Sequence, residues 1–330
     1  MGLKHREPTI AIGLPTPRRA FLIPSPTGRG ACCSGCKKLK RCSRCEDPKD
    51  RLKPLRRGDD MSDRAADFTG SIPIFYDHGL GPIFFAEFAD DMARRATASA
   101  PTRVLEIAAG TGIVTRRLRD LLPPEAHLTA TDLNPPMLEV ARGKFRPNEL
   151  VEFQPADATA LPFPDASFDA VVCQFGVMFF PDKEKGYCEA YRVLVSGGRY
   201  FFSVGDSHRH NPIGRLVTEI LDGFFPHDPP QFYQVPFSYH RLDPIKDSLG
   251  KAGFADLRIA VLTLNKIVPD VPTYARAVVL GNPLIDQIRA RGGVDPERVI
   301  DSLTKAIPRE FGTDPTCIPL QAIVFEARHR

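Results

Sequence analysis

The chain has 330 residues, of which 42% are hydrophobic and 25% are charged, a composition typical of globular proteins. Residues 1–60 carry 15 Lys and Arg against 6 Asp and Glu, whereas residues 61–330 carry 29 against 34. The excess of basic charge therefore belongs to the first sixty residues, and the remainder lacks the basic surface of a nucleic-acid-binding protein. No segment approaches the roughly 18 apolar residues of a membrane span, so we expect a cytoplasmic protein with no nucleic-acid partner and no membrane span.

Residues 1–60 are rich in Pro, Arg and Gly without apolar periodicity, which predicts a disordered basic tail. Within this tail, Cys33-x-x-Cys36 and Cys42-x-x-Cys45 resemble two halves of a zinc site. Their spacing is short for such a site, so we expect no metal, with zinc at these cysteines as the lesser alternative. A further alternative is that the native chain begins at Met61. On either interpretation, residues 61–330 form the folded domain.

Apolar runs and helix-like periodicity alternate along the folded part of the chain. A turn-rich aromatic segment at residues 75–82 precedes a helix predicted over residues 83–97. Strands are predicted at residues 103–108, 128–132, 151–153, 168–174 and 199–204, with helices between them. This alternation predicts a parallel sheet, with ligands at the carboxyl ends of its strands.

The remainder of the chain departs from this alternation. Residues 206–240 are rich in Gly, Pro, His and aromatic residues, and we expect them to form a lid with a helical patch at residues 213–225. A helix at residues 242–252 and strands at residues 256–264 and 320–326 are predicted around a helical insertion at about residues 270–310. The predicted fold class is therefore α/β: a Rossmann-like doubly wound, seven-stranded, mostly parallel sheet with helices on both faces, an antiparallel edge, and a helical lid and insertion.

A glycine turn follows the first predicted strand. Glycines at positions 110 and 112 allow a ligand to approach the backbone, and the start of the next helix offers unpaired N–H groups. Asp132 stands twenty residues past Gly112, at the end of the second strand. A carboxylate at this spacing commonly meets the two ribose hydroxyls of a bound nucleoside.

Each of the acids at the strand ends has a simpler alternative. Asp132 and Asp157 each precede a helix or turn and are also typical N-terminal caps. Glu106 is also a candidate for an ion pair with Arg103 or Arg116. The three acids together, at consecutive strand ends, favour a ligand site.

Four motifs in order then carry a resemblance to a known family. They are Glu106-Ile107-Ala108-Ala109-Gly110-Thr111-Gly112, Asp132-Leu133-Asn134-Pro135-Pro136-Met137-Leu138, Asp157-Ala158 with Leu161-Pro162-Phe163, and Phe168-Asp169 through Gln174-Phe175-Gly176. With them the chain resembles the class I S-adenosylmethionine (SAM)-dependent methyltransferases, most closely the bacterial group related to ubiquinone/menaquinone C-methyltransferases. The resemblance covers about residues 72–264. It departs at Ala108, where the family usually has its first glycine.

The resemblance implies SAM as the cofactor and assigns roles to individual residues. SAM offers an ammonium, a ribose diol and an adenine amine, and the three acids supply acceptors for these three donor groups. The cofactor-binding residues implied are Glu106 at the ammonium, Gly110 and Gly112 beside the carboxypropyl part, Asp132 at the ribose, Leu133 on the adenine, Asp157 and Ala158 at the adenine edge, Gln174 and Phe175 on the methionine side, and Ala108 and Met137 beside them.

The implied reaction is in-line transfer of a methyl group to a small, partly apolar acceptor. A general base is optional in this chemistry; the first candidate is His208 and the second is His78, since histidine is the usual base, and Tyr76, His210 and His240 are further candidates. Aromatic residues between positions 179 and 237 are candidates for an apolar acceptor pocket. One alternative is a non-catalytic binding module with the same fold. A second is a nicotinamide-dependent oxidoreductase, although Thr115 stands where the third glycine of its fingerprint belongs.

Overall fold

The structure is a computed structural model that describes residues 10–11 and 63–330. Three predictions fall outside these residues: the disordered tail, apart from residues 10–11, the zinc site at its four cysteines, and the start at Met61. The lid and the insertion lie inside them. Within the described residues, no helix is long and apolar enough to cross a membrane.

In the part of the chain that the structure describes, eight strands form one sheet in the order β1-β7-β8-β6-β5-β2-β3-β4. The pairs from β4 to β6 along this order are parallel, and those from β6 through β8 and β7 to β1 are antiparallel. The seven longer strands confirm the predicted mostly parallel α/β sheet with its antiparallel edge, and the two-residue β1 adds to that edge. The strands are β1 (Ile10–Ala11), β2 (Arg103–Ile107), β3 (His127–Asp132), β4 (Val151–Pro155), β5 (Phe168–Gln174), β6 (Leu194–Gly205), β7 (Ala255–Ile267) and β8 (Cys317–Arg328).

Helices flank the sheet and continue beyond it. A π-helix spans Tyr76–Phe85, and short 3₁₀ turns span Asp63–Ala66 and Val177–Phe179. The α-helices are α1 (Ile72–Phe75), α2 (Ala86–Thr97), α3 (Ile113–Leu121), α4 (Pro135–Arg142), α5 (Lys183–Val193), α6 (Pro212–Phe224), α7 (Gln234–Ser238), α8 (Leu242–Ala252), α9 (Val271–Leu280), α10 (Leu284–Arg291) and α11 (Pro296–Phe311).

Two local predictions are wrong. Residues 75–82, predicted as turns, are almost entirely π-helix, and Pro82 lies inside it. Glycine is required there because a Cβ on Gly79 would lie 2.2 Å from the Cβ of Ala277 in α9. The start of the strand predicted at residues 199–204 is also wrong, because β6 begins at Leu194 and includes Gly197 and Gly198, which the sequence suggests as a turn; the pairing with β5 is irregular there, between Phe168 and Ala170.

Alternate residues of the central strands enter different cores. Leu105 and Val171 pack with α5 and α8 on one face, whereas Val104 and Val172 pack with α2 and α3 on the other. This explains why β5 is almost wholly apolar, since parallel strands covered on both faces lose the apolar–polar alternation. The two covered faces leave the strand ends as the place for a ligand.

A third core lies among the helices outside the sheet. It joins α6, α9 and α11 with the segment around α7 through side chains such as Val217, Phe237, Val278 and Leu303. Residues 206–240, predicted as a lid, contain α6 and α7, and residues 270–310 contain α9, α10 and most of α11. These helices pack against one another and against β8 residues such as Leu320 and Ala322, and residues of α7 and α9 border the cavity at the strand ends.

Gly112 is a testable point of close packing. Its φ is +77°, and a Cβ there would lie 2.8 Å from the Cβ of Ala141 in α4. We expect Gly112→Ala to lower the free energy of unfolding by about 1–3 kcal/mol, from backbone strain and overpacking. Chemical denaturation measures this difference.

The control for this substitution is Gly223→Ala in α6, where an added Cβ has no atom within 4 Å. Alanine in an open helical position is expected to stabilise by roughly 0.5 kcal/mol. Equal effects of the two substitutions would contradict the packing role of Gly112.

Candidate functional site

A cavity of about 460 Å³ opens where the carboxyl ends of β2 to β6 meet the surrounding helices. Each strand end contributes lining residues, as expected of a parallel sheet. The helical side of the cavity is formed by the π-helix, the segment around α7, and α9. Of the predicted cofactor residues, the lining includes Ala108, Gly110, Asp132, Leu133, Met137, Asp157, Ala158, Gln174 and Phe175.

Asp132 is held rigidly at the end of β3. Its Oδ2 accepts the N–H of Gly110 at 2.9 Å, and its Oδ1 accepts the N–H of Asn134 at 2.8 Å. Burial raises the pKa of Asp132, and these hydrogen bonds oppose that shift. The residue is therefore not the cap of α4, whose N-cap is Asn134; it fixes the glycine turn and borders the cavity.

Asp157 and Leu133 border the cavity at the ends of β4 and β3. Oδ1 of Asp157 accepts both the N–H and the hydroxyl of Thr159, at 2.7 and 2.8 Å. The predicted turn-capping role is thus realised through one oxygen, and Oδ2 remains for a donor from a ligand. The side chain of Leu133 is 56% exposed, which leaves an apolar surface on which a flat ring can pack.

A small polar recess of about 20 Å³ adjoins the cavity and shares Tyr76, Ala108 and Gln174 with it. Three buried oxygens around it have no hydrogen-bond partner: Oε2 of Glu106, Oγ1 of Thr111 and Oε1 of Gln174. Buried polar atoms without partners are costly, and this recess has room for a group about the size of a water molecule. The recess is thus suited to a compact donor such as an ammonium group.

Glu106 lies at the end of β2 beside this recess. The alternative prediction, an ion pair of Glu106 with Arg103 or Arg116, is wrong. Arg103 binds Asp169, and Arg116 binds Asp120 and Glu149. Burial raises the pKa of Glu106 to about 8, and the charge of Asp132 adds to the shift. Near neutral pH the free protein therefore holds Glu106 mostly protonated.

The two predicted glycines differ in what they do. Gly110 lines the cavity, donates to Asp132 and has a φ of +57°. Gly112 lies outside the cavity lining and faces Ala141 instead. The structure therefore brings Gly110 to the cavity, whereas Gly112 serves the packing of α4 against the turn.

Aromatic side chains form the other part of the cavity. Phe175 contacts Phe84 and Phe85 of the π-helix at ring-centroid distances of 5.9 and 5.8 Å. Phe179 stacks on Phe232 at 6.1 Å. Of the aromatic residues predicted for an apolar pocket, the lining contains Phe179, Phe180, Phe232, Tyr233 and Phe237, and omits Phe224 and Phe225.

Of the candidate bases, Tyr76 lines the cavity and the four histidines do not. His78 is exposed on the π-helix. His208 directs Nε2 to the backbone oxygen of Tyr233 at 3.1 Å, and its ring lies against Phe237. Among the described residues that line the cavity there is no histidine.

This geometry indicates that His208 supports the segment around α7. We expect His208→Ala to lower the melting temperature while leaving the turnover number within about threefold of wild type, since removing a general base typically costs 100-fold or more. Thermal unfolding and initial-rate kinetics measure the two effects. A 100-fold loss of turnover in a stably folded variant would restore the role of general base.

Two residues of the site received no role from the sequence. Asn134 was named only as part of the second motif, but its amide donates to the backbone oxygen of Ala66 and its Oδ1 accepts the N–H of Phe68. Lys183 lines the cavity. No local pattern identifies them, because the chain segments that they join are far apart in sequence.

Comparison with known proteins identifies a family that matches the segment containing the carboxyl ends of β2 to β5. Residues 105–202 match a family described as a methyltransferase domain. Two relatives named demethylmenaquinone methyltransferase come from Deinococcus radiodurans and Thermus thermophilus. The first is 44% identical over 108 residues, or 32% of this chain and 44% of the relative, and the second is 48% identical over 105 residues, or 32% and 47%.

The matched segment and these relatives support a class I SAM-dependent methyltransferase. This confirms the predicted resemblance and its cofactor, SAM. The chain spans less than half the length of either relative. A structure of Haemonchus contortus phosphoethanolamine N-methyltransferase 2 with S-adenosyl-L-methionine aligns over 84% of this chain and 61% of that chain, at a TM-score of 0.52 and 20% identity, a likeness of fold alone.

The turn of this methyltransferase domain contains an unusual residue. Ala108 has a φ of +55°, a left-handed conformation that glycine adopts more easily, and it stands where the family usually has glycine. A Cβ on Gly176 would lie 2.6 Å from that of Ala108, so glycine at position 176 makes room for the methyl group. Gly176 therefore accommodates alanine at position 108, where the family usually has glycine.

Proposed function

We propose that this protein transfers a methyl group from SAM to a small, apolar, ring-bearing acceptor. The observation that carries the proposal is a single cavity in which acids at the strand ends face an aromatic wall. SAM supplies an activated methyl group on a sulfonium centre. The two relatives named demethylmenaquinone methyltransferase support a quinol-type ring as acceptor. A relative from Methylobacterium nodulans, 41% identical over 110 residues and named ubiquinone/menaquinone biosynthesis C-methyltransferase, supports carbon as the methylated atom.

The acids and the recess would hold the cofactor. Glu106, Thr111 and Gln174 would accept from its ammonium group, because they offer buried oxygens without partners. Asp132 would accept from the ribose hydroxyls while Gly110 and Asn134 hold its carboxyl group in place. Oδ2 of Asp157 would accept from the adenine amine.

The aromatic wall would hold and align the acceptor. Rings of Phe84, Phe175 and Phe179 exclude water from the cavity, and exclusion of water strengthens the polar contacts that remain. Alignment of acceptor and donor contributes most of the catalysis when the donor is already activated. The tyrosines of the lining stay neutral, because burial raises the pKa of Tyr76 and of Tyr233. The proposed transfer therefore uses no histidine base.

The test is to incubate the full chain with SAM labelled in its methyl group and with 1,4-naphthohydroquinone, hydroquinone or catechol. Mass spectrometry of the products identifies the methylated atom, and calorimetry measures the binding of SAM with NAD as the control. Binding of SAM together with carbon-methylated product supports the proposal. Absence of SAM binding by the folded protein, binding of NAD alone, or SAM binding without product from any acceptor would each contradict it.

A further inference from the structure

Lys183 places a positive charge at the cavity. It is the first residue of α5 and follows the 3₁₀ turn beyond β5. Its Nζ donates to the backbone oxygen of Phe180 at 3.0 Å and lies 5.1 Å from the ring centre of Tyr239. Lys183 is the only Lys or Arg among the described residues that line the cavity.

The ammonium group of Lys183 has no carboxylate partner among the described residues. The acids beside it in sequence are otherwise engaged: Glu184 pairs with Lys251 at 2.8 Å, and Asp182 caps α5 by accepting the N–H of Lys185. Lys183 is half-buried, and this burial lowers its pKa. A partly desolvated cation without a counter-charge is unfavourable, and an anion in the cavity would relieve that cost.

Lys183 lies on a different wall from the cofactor acids. Asp132 and Asp157 follow β3 and β4, whereas Lys183 follows β5, and β2 separates β5 from β3 in the sheet. Neighbouring strands lie about 4.8 Å apart, so β5, which leads to Lys183, and β4, which ends beside Asp157, lie roughly 14 Å apart in the sheet. The lysine contacts Tyr239, just beyond α7, on the side where the aromatic wall forms.

We propose that Lys183 determines acceptor specificity by binding an oxyanion, a carboxylate or an ionised phenol, carried by an apolar ring. The proposal rests on the function proposed above and names the class of acceptor. The aromatic residues supply the surface for the ring, and Lys183 supplies the counter-charge at the cavity wall. The simpler alternative is a surface lysine that only bonds the oxygen of Phe180; it predicts no preference for an anion.

Matched ligand pairs test the charge directly. 2-Naphthoate is compared with 2-naphthamide, and 4-nitrophenol, which ionises near neutral pH where Lys183 keeps its charge, is compared with 4-nitroanisole, by calorimetry with the full chain in the presence and absence of SAM. For at least one pair we expect the wild type to bind the anion at least about tenfold more tightly, a difference of ~1.4 kcal/mol. The pair that shows the preference identifies the oxyanion.

Lys183→Met is expected to abolish that preference while leaving the affinity for the neutral ligand and for SAM unchanged. Lys185→Met is the matched control, because it removes the same charge from an exposed position of the same helix outside the lining. Lys183→Arg is expected to retain the preference. Preservation of the preference in Lys183→Met would overturn the proposal.

The wild type alone also tests the proposal. Absence of preference for either anion, or absence of binding by all four ligands, would overturn it even if no variant folds. The titration with SAM is interpreted separately. If the protein binds no SAM but shows the Lys183-dependent preference, the proposed methyl transfer is refuted and the anion site is retained.

Discussion

Asp132→Ala is expected to weaken the binding of SAM by at least about tenfold, equal to ~1.4 kcal/mol. The substitution removes the carboxyl group that borders the cavity at the end of β3. It also leaves the buried N–H groups of Gly110 and Asn134 without their acceptor, and each such loss typically costs about 1–3 kcal/mol. The variant should therefore lose both cofactor affinity and stability, measured by calorimetric titration and by chemical denaturation.

Asp132→Asn separates these two effects. The amide oxygen can still accept one backbone N–H, so most of the stability should return, whereas the charge-assisted bonds to a diol remain weakened. Asp169→Asn is a matched control, since Asp169 is a strand acid that binds Thr102 and Arg103 outside the cavity. Equal SAM affinity in the wild type and in Asp132→Ala would contradict the assigned role.

The parts of this fold that the sequence predicted are those with a local signal. β5 and α8 were predicted at the bounds that the structure has, because a buried apolar run and an amphipathic stretch ending at glycine depend on few distant contacts. The glycine turn and the acids at the strand ends were likewise found, since the carboxyl ends of parallel strands meet at one edge of the sheet.

The parts that were missed depend on contacts between distant segments. The π-helix contains two glycines and a proline, which read as turns until Gly79 is seen against Ala277. Lys183 looked like an ordinary residue of a charged helix start. His208 was predicted as a base because it is a titratable residue after β6. Its ring instead bonds the backbone oxygen of Tyr233 and does not line the cavity.

Glu106 leads to the second large expected effect, which depends on pH. Burial raises its pKa from the ordinary 4.5 to about 8 in the folded protein. Because the folded pKa lies above the unfolded value, the contribution of Glu106 to stability is fully present below pH 4.5 and is lost as the pH rises through 8. One pKa unit corresponds to ~1.4 kcal/mol. Glu106→Gln should therefore stabilise the free protein above pH 8, by about 1 kcal/mol or more.

Binding of a cationic group at the recess should reverse this preference, because a nearby positive charge favours the carboxylate. At pH 7 the binding of SAM is therefore expected to release close to one proton, and its affinity should rise as the pH increases from about 6 towards 8. Calorimetry in buffers of different ionisation enthalpy counts the released protons.

Glu106→Gln should bind SAM more weakly and release no proton, even though it is more stable above pH 8. This opposition between stability and affinity distinguishes a binding carboxylate from a structural one, for which both quantities would fall together. Ser203→Ala is the matched control, because Ser203 also bears a buried oxygen without a partner but lies outside the linings of the recess and the cavity. It should leave proton release intact. Proton release that persists in Glu106→Gln would assign the titrating group elsewhere and would remove Glu106 from the cofactor site.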